Sequence, residues 1–517
     1  MKRQWYYRGS LKSCNYACSY CPFAKRPCRE RELQEDKAAF FRFVEQMGAR
    51  GYGGAVLVTP YGEALIHPYY WEGLAVLSRS PKIDAVGAQT NLSFPVLPML
   101  AVYQTCGGEL KKLRLWGTFH PEMVTVEQFV QQCQLLSERN VQYCVGAVGV
   151  PEHLPAIRRL RNLLPENVYL WINKMDGLKR RYTPAEIEAF LEIDVYFGQE
   201  LIRRKADVSK CAENYFVEAN GALRRCNICR LASGNLYEDS LTGAVGPEPP
   251  ACTQTWCSCY LSYCNRKDET FPFFQPYPAF RIPAYPKAAF FDIDGTLIPE
   301  GKKQIQPHTA RWLVQLAGHC EVYLATSLPL IHAKRKMAPV WHIVRGGVFA
   351  NGGRWILPGQ EEGEEPLDKI APMESGWLIK ARRVRKKYGF SLYVYQKKGC
   401  RPLGAQSGRQ EGIYKVVLVF PGKDEQKLEK VQEALREDLA IPDSCKVVWE
   451  GRHMQVTRKG TGKLEGILAI CAAMGYRKEE VAVFGDSEND RAMLTYFPWS
   501  VWAQDADGYR RTPFSVL

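Results

Sequence analysis

Three thiols crowd into eight positions near the start of the chain: Cys14, Cys18 and Cys21 in CNYACSYC. A structural zinc site closes a tetrahedron with four protein ligands, and the fourth here would be Cys28. Three thiolates suit a [4Fe–4S] cube better, each cysteine holding one iron. One iron then stays open to bind a substrate or cofactor directly. A second reactive grouping stands in the other half of the chain. In FFDIDGTL, Asp292 and Asp294 are two residues apart at the end of an apolar run. Side chains at i and i+2 leave a strand on the same side, so both carboxylates meet at its end. Asp486 and Asp490 follow another apolar strand, VAVFG. Such a carboxylate set supplies the hard oxygen ligands that Mg²⁺ requires.

These groups need elements to hold them. Over the first 200 residues, strand-like runs at 4–9, 54–60, 83–90, 112–119, 143–150 and 168–174 alternate with helical periodicity, as in 126–140 and 154–164. Repeated β-then-α units predict a parallel sheet. Six of them fit a curled, partial (β/α)6 barrel, with chemistry at the C-terminal strand ends. Residues 205–270 lose that periodicity and hold seven cysteines. The stretch 271–286, FPFFQPYPAFRIPAYP, reads as a semi-rigid linker because proline continues neither helix nor central strand. A second α/β pattern opens at Lys287. The expected domains are therefore 1–204, 205–270, the linker 271–286, and 287–517.

The motif C-x3-C-x2-C, with Tyr20 before its last cysteine, resembles the signature of radical SAM enzymes. That resemblance implies a cluster whose free iron chelates S-adenosylmethionine. One electron then cleaves the cofactor to a 5′-deoxyadenosyl radical that abstracts hydrogen from substrate. It also implies cofactor contacts from Tyr20, from Gly62 and Glu63 in TPYGEAL, and from Asn91 in QTN. VGVPE (148–152) resembles a loop near the adenine. The segment 1–270 is similar as a whole to a bacterial branch of that family. His120, after the fourth strand, reads first as a structural histidine.

Cys211, Gly221 and Cys226 follow a C-x9-G-x4-C spacing that resembles the start of SPASM or twitch extensions. The physical reading is a hairpin turning at Gly221. The resemblance implies an auxiliary iron–sulfur cluster held by Cys211, Cys226 and partners among Cys252, Cys257 and Cys259. Cys229 and Cys264 are further candidates, and a structural zinc ribbon is the competing reading.

The second half resembles the haloacid dehalogenase (HAD) superfamily, motif by motif and in order. By that resemblance Asp292 is the nucleophile that takes the phosphoryl group, and Asp294 is the general acid and base. Thr326 in CEVYLATS holds phosphoryl oxygens, with Ser327 as alternate. Lys463 neutralises charge between nucleophile and phosphate, with Lys459 as alternate. Asp292, Asp294, Asp486 and Asp490 form the magnesium site. The long interval between the second and third motifs implies an α/β cap at about 330–455, like that of Cof-type phosphatases. FANGGRW (349–355) resembles the start of such caps. The fold class expected overall is α/β: a partial barrel, a small Cys-rich extension, and a Rossmann-like HAD domain with its cap.

Fourteen of the 18 cysteines fall in the first 264 residues. In a reducing compartment that skew favours metal ligation over disulfides. Cys320, Cys400, Cys445 and Cys471 read as small buried hydrophobes. The start MKRQWYYRGS lacks an apolar core, so no secretory signal is expected, and the cytoplasm is the expected location. Formal net charge is +14, which suits anionic partners. The basic run 380–387 reads as the solvated face of a helix. The expectation is a bifunctional enzyme. A radical SAM half modifies a C–H position of a small phosphorylated metabolite, fed by an external one-electron donor such as flavodoxin or ferredoxin. A phosphatase half removes phosphate. No membrane partner is expected. A peptide substrate is the alternative for the first half. A metal-stabilised nucleic-acid-binding protein with a degenerate HAD module is the alternative of another class.

Overall fold

Six apolar strands lie side by side in the order in which the chain makes them. They are β1 (Gln4–Gly9), β2 (Gly54–Val58), β3 (Ile83–Thr90), β4 (Leu113–Phe119), β5 (Gln142–Val148) and β6 (Leu170–Asn173), all parallel. The connecting helices are α1 (Glu30–Ala49), α2 (Pro68–Ser78), α3 (Val96–Thr105), α4 (Val126–Glu138) and α5 (Leu154–Leu163). The computed structural model describes residues 3–23, 27–201, 204–205, 214–226, 232–238, 255–257, 274, 276–357, 367–403, 412–421, 434–435, 437–450 and 452–503. These fall into two compact units, one within Met1–Ala284 and one within Tyr285–Ser515.

Parallel crossovers are right-handed, so strands laid in sequence order put their helices on one face. One apolar cluster accordingly joins alternate strand residues, among them Val56, Val58, Val86, Leu113 and Leu115, to Phe40 and Phe43 of α1, Leu74 of α2 and Phe129 of α4. β6 ends the row. On its other side β1 pairs in parallel with β8 (Asn214–Glu218), which continues antiparallel into β9 (Ala222–Arg224) and β10 (Ala232–Asn235). The β8–β9 turn carries Gly221 at φ +84°, where the hairpin was expected. Two short strands, β7 (Arg204–Lys205) and β11 (Trp256–Cys257), pair with each other.

The face away from the helices is covered by a segment that the sequence presents as a spacer. Pro278, Ala279, Phe280 and Arg281 are buried. The Ala279 N–H donates to Gln4 Oε1 at 2.9 Å, and the Tyr277 hydroxyl donates to Asp84. The Arg281 guanidinium lies 4.0 Å from the Trp116 ring centroid and against Trp171 as well. Its prolines and aromatic rings serve burial here: they supply apolar surface to the strand face that the connecting helices leave uncovered.

The second unit has two sheets. The larger runs in the order β16 (Leu367–Ile370), β15 (Arg354–Leu357), β14 (Val344–Phe349), β13 (Glu321–Ala325), β12 (Ala288–Phe291), β22 (Val481–Gly485), β23 (Trp499–Trp502). Its five strands from β14 to β23 are parallel, a Rossmann-like arrangement. The smaller sheet is antiparallel in the order β18 (Gly399–Pro402), β17 (Ser391–Gln396), β19 (Ile413–Val419), β21 (His453–Arg458), β20 (Cys445–Glu450). With the helix Leu378–Tyr388 it has its own apolar core around Val394, Val416 and Val456. That helix carries the basic run, and Arg383, Arg385, Lys386 and Lys387 are exposed. The helix Leu330–Lys336, β14 and the β14–β15 turn inside FANGGRW stand with the larger sheet. The elements of the smaller sheet begin after β16.

Candidate functional site

In the first unit, the C-terminal ends of β1, β2 and β3 converge. The chain leaves β1 into the three-cysteine loop. Gly62, just past β2, lies so close to that loop that a Cβ there would stand 1.8 Å from the Ser13 carbonyl oxygen. The next N–H, of Glu63, donates to that same oxygen at 2.9 Å. Glu63 is buried. Its carboxylate accepts from the Thr90 hydroxyl at 2.7 Å, the Asn91 N–H at 2.6 Å and the Leu65 N–H at 3.0 Å. Burial pushes its pKa up to about 7, against those three hydrogen bonds. The resemblance implied cofactor contacts from Gly62 and Glu63. What the structure shows is that they fasten β2 to the cysteine loop and to the end of β3.

Asn91 faces Cys14: its Nδ2 lies 3.8 Å from Cys14 Sγ and 3.0 Å from Asn15 Oδ1. The other side of the loop is held from β4. Glu122 accepts from the Ser19 N–H at 2.6 Å and the Ser19 hydroxyl at 2.5 Å. The Tyr20 hydroxyl meets His120 Nδ1 at 2.8 Å, with the two rings stacked. Burial lowers His120 to about 4, so the imidazole is neutral near pH 7. Glu122 carried no signal in the sequence, because its link to Ser19 spans 103 positions.

Burial raises the thiols, Cys14 in direction and Cys18 to about 11. A cationic cluster would bring them to thiolates, the form that ligates metal. Among the described residues, the trio that brings three ligand atoms within 4.8 Å of one another is Asp292, Asp486 and Asp490. Cys28 packs against the apolar cluster of this unit. Of the auxiliary-cluster residues, Cys226 lies just past β9 and is half-buried. Cys257 is placed by its backbone in β11. Cys211, Cys229, Cys252, Cys259 and Cys264 lie outside the described residues.

In the second unit, β12, β13 and β22 end beside one another and deliver the acidic set. Asp292, just past β12, is buried and its N–H donates to the Phe484 carbonyl at 2.9 Å. Lys463 Nζ lies 2.9 Å from Asp292 Oδ1 and 2.7 Å from Asp490 Oδ1, almost fully enclosed. Burial raises the Asp292 carboxyl; the Lys463 ammonium opposes that, and the Asp490 carboxylate adds to it. Burial alone would lower Lys463, but the two carboxylates outweigh it and keep the ammonium charged. Asp490 Oδ2 also accepts from the Asp486 and Ser487 N–H groups, both at 3.1 Å. Thr296, unremarked in the sequence, donates its hydroxyl to Asp486 Oδ1 at 2.9 Å. Gly295 sits at φ +87°, and a Cβ there would meet Asp486 Oδ2 at 1.9 Å. The turn after Asp294 therefore closes on Asp486 only with glycine.

Thr326, just past β13, is buried, with its hydroxyl accepting from the Leu328 N–H at 3.1 Å. Asp294 points instead to the helix Leu330–Lys336, where Lys336 Nζ bonds its carboxylate. Lys459 is exposed on a turn, so Lys463 is the lysine among the carboxylates. Ser327 offers its carbonyl to Lys415 Nζ at 2.8 Å. The fit of this set to Mg²⁺ rests on its chemistry: three carboxylates, all hard oxygen donors, with ligand atoms within 4.8 Å of one another.

Residues 365–509 match the family model of haloacid dehalogenase-like hydrolases. None of the curated proteins compared matches the chain. Among solved structures, the HAD subclass IIB sugar phosphatase BT4131 is 19% identical over 44% of this chain and 94% of its own, with a TM-score of 0.34. TM0651 from Thermotoga maritima is 20% identical over 41% and 84%, with a TM-score of 0.33. A haloacid dehalogenase-like hydrolase from Bacteroides thetaiotaomicron is 18% identical over 41% and 85%, with a TM-score of 0.34. No helix among the described residues is long and apolar enough to cross a membrane. The C-terminal part of the chain carries a haloacid dehalogenase-like hydrolase domain.

Proposed function

We propose that the second unit hydrolyses phosphate monoesters and that the first unit is a radical SAM enzyme acting on a related small metabolite. One observation carries the phosphatase reading: Asp292 and Asp490 share the buried Lys463 ammonium, at 2.9 and 2.7 Å, with Asp486 completing the acidic trio. Asp292 Oδ attacks phosphorus, forming an acyl phosphate as the ester P–O bond breaks. Asp294 gives its proton to the leaving oxygen, then takes one from the water that attacks the acyl phosphate and restores Asp292. Lys463 and the Thr326 hydroxyl stand beside the charge that builds on the phosphoryl oxygens. A magnesium ion held by Asp292, Asp486 and Asp490 supplies further charge neutralisation. Asp292→Asn keeps the shape and removes the nucleophile. It should lower phosphate release by roughly three orders of magnitude or more across a panel of phosphate esters. Release at the wild-type rate by that variant would refute the reading.

For the first unit, the support is Cys14 beside Asn91, with the three-cysteine loop following β1 and Asn91 following β3 in one parallel sheet. Cys14, Cys18 and Cys21 would hold a cluster there, which, given an electron by a flavodoxin- or ferredoxin-like donor, would supply reductive cleavage of S-adenosylmethionine. The chain itself orients the loop: Gly62 and Glu63 from one side, Glu122 and the Tyr20–His120 pair from the other. After anaerobic reconstitution, cleavage of S-adenosylmethionine that disappears in Cys18→Ala supports this half. A colourless protein holding stoichiometric zinc contradicts it.

A further inference from the structure

We propose that the phosphate ester taken by the second unit carries a second anionic group, a phosphate or a carboxylate. That group binds between the helix Leu330–Lys336 and strand β19 of the smaller sheet. The inference rests on the phosphatase reading and narrows its substrate class. Two cations from the helix, Arg335 and Lys336, and one from the smaller sheet, Lys415, lie about the carboxylate site. Lys336 bonds Asp294. One residue earlier, Arg335 Nη2 lies 3.3 Å from His332 Nδ1. The His332 ring in turn stands edge-on to Tyr395 of β17, with centroids 6.4 Å apart. This side of the helix therefore faces the cap. From the cap comes Lys415, which is 3% exposed and donates to the Ser327 carbonyl at 2.8 Å, next to Thr326. Burial lowers the His332 pKa, and the charges of Arg335, Lys336 and Lys415 lower it further.

Basic residues in a last helical turn complement the helix dipole, and Lys334, Arg335 and Lys336 all lie there. The dipole does not extend to Lys415, which the smaller sheet brings to the Ser327 loop, and a substrate anion would engage cations from both elements at once. The transferred phosphate is already met by Lys463 and the Thr326 hydroxyl, so these further cations suit a different group on the same molecule. Arginine and lysine bind phosphate and carboxylate alike through charge-assisted hydrogen bonds.

The test measures kcat/KM of the full chain with Mg²⁺ for p-nitrophenyl phosphate, a hexose monophosphate, a hexose bisphosphate and phosphoglycerate. The inference expects the bisphosphate or phosphoglycerate, or both, to exceed the two esters without a second anion by about tenfold or more. Whichever is favoured names the second group. Arg335→Ala and His332→Ala, at exposed and half-buried positions, should each reduce that preference severalfold, mainly through KM. Equal kcat/KM across all four esters overturns the inference and leaves the phosphatase reading standing. So does an equal loss on every ester in both variants. Failure of the wild-type chain to hydrolyse any of the four overturns both.

Discussion

His120 shows how far one residue's chemistry could be read from its neighbours in sequence. Its position after β4 was legible, and so was the expectation of a structural histidine. Its partner, Tyr20, is 100 positions away and was not. The pair predicts a pH dependence. The unfolded imidazole takes a proton near its ordinary value of about 6.5, the folded one only near 4. Between those values the unfolded chain binds more protons, so His120 makes stability fall as pH drops from about 6.5 to about 4. Glu63, raised to about 7, acts in the opposite sense, favouring the fold as pH drops. Urea unfolding of wild type and His120→Gln, compared at several pH values, isolates the histidine. The variant should lack the acid-side loss attributable to this site; identical pH profiles would contradict the buried neutral imidazole.

At the scale of elements, strands were legible because apolar runs bounded by turns encode them locally. β1 and β3 coincide with the stretches read from the sequence at 4–9 and 83–90. What local pattern does not encode is which loop ends meet. Gly62 stood in a segment resembling a cofactor contact, yet its lack of a side chain is used against the Ser13 carbonyl. The segment 277–281 read as a spacer because proline forbids regular structure, whereas its burial depends on strands that lie far off in sequence. The Gly62→Ala exchange tests the first point. With a backbone oxygen in the way, the β2 end must move from the cysteine loop, at a cost of about 1–3 kcal/mol. Iron bound after anaerobic reconstitution should fall with it. Full iron loading at wild-type stability would show that the close approach is dispensable.

For the whole molecule, the two units must each stand on their own core, and the second one crowds buried carboxylates that repel. Asp292 is raised by burial and by Asp490, a strain that a bound divalent cation relieves. Because binding to the folded state alone stabilises it, Mg²⁺ at about a hundredfold over its Kd adds about 2.7 kcal/mol. That corresponds to a rise of about 5–10 °C in the unfolding midpoint of this unit. Differential scanning calorimetry should show the rise in one transition, and Asp486→Asn should diminish it. A midpoint indifferent to Mg²⁺ would count against the metal assignment. Motif order in this half was legible because each reactive residue follows its own strand. The cations Lys336 and Lys415 were not, since one lies in a basic helical turn and the other within an apolar strand run.

The central claim is that Asp292 takes the phosphoryl group. Acid-quenching the enzyme during turnover and reducing the trapped acyl phosphate with borohydride converts the modified side chain to a stable alcohol that peptide mass spectrometry can locate. The account predicts that conversion at Asp292, in the wild-type chain and not in Asp292→Asn. Conversion at another carboxylate, or turnover with no trapped acyl phosphate at all, would contradict it.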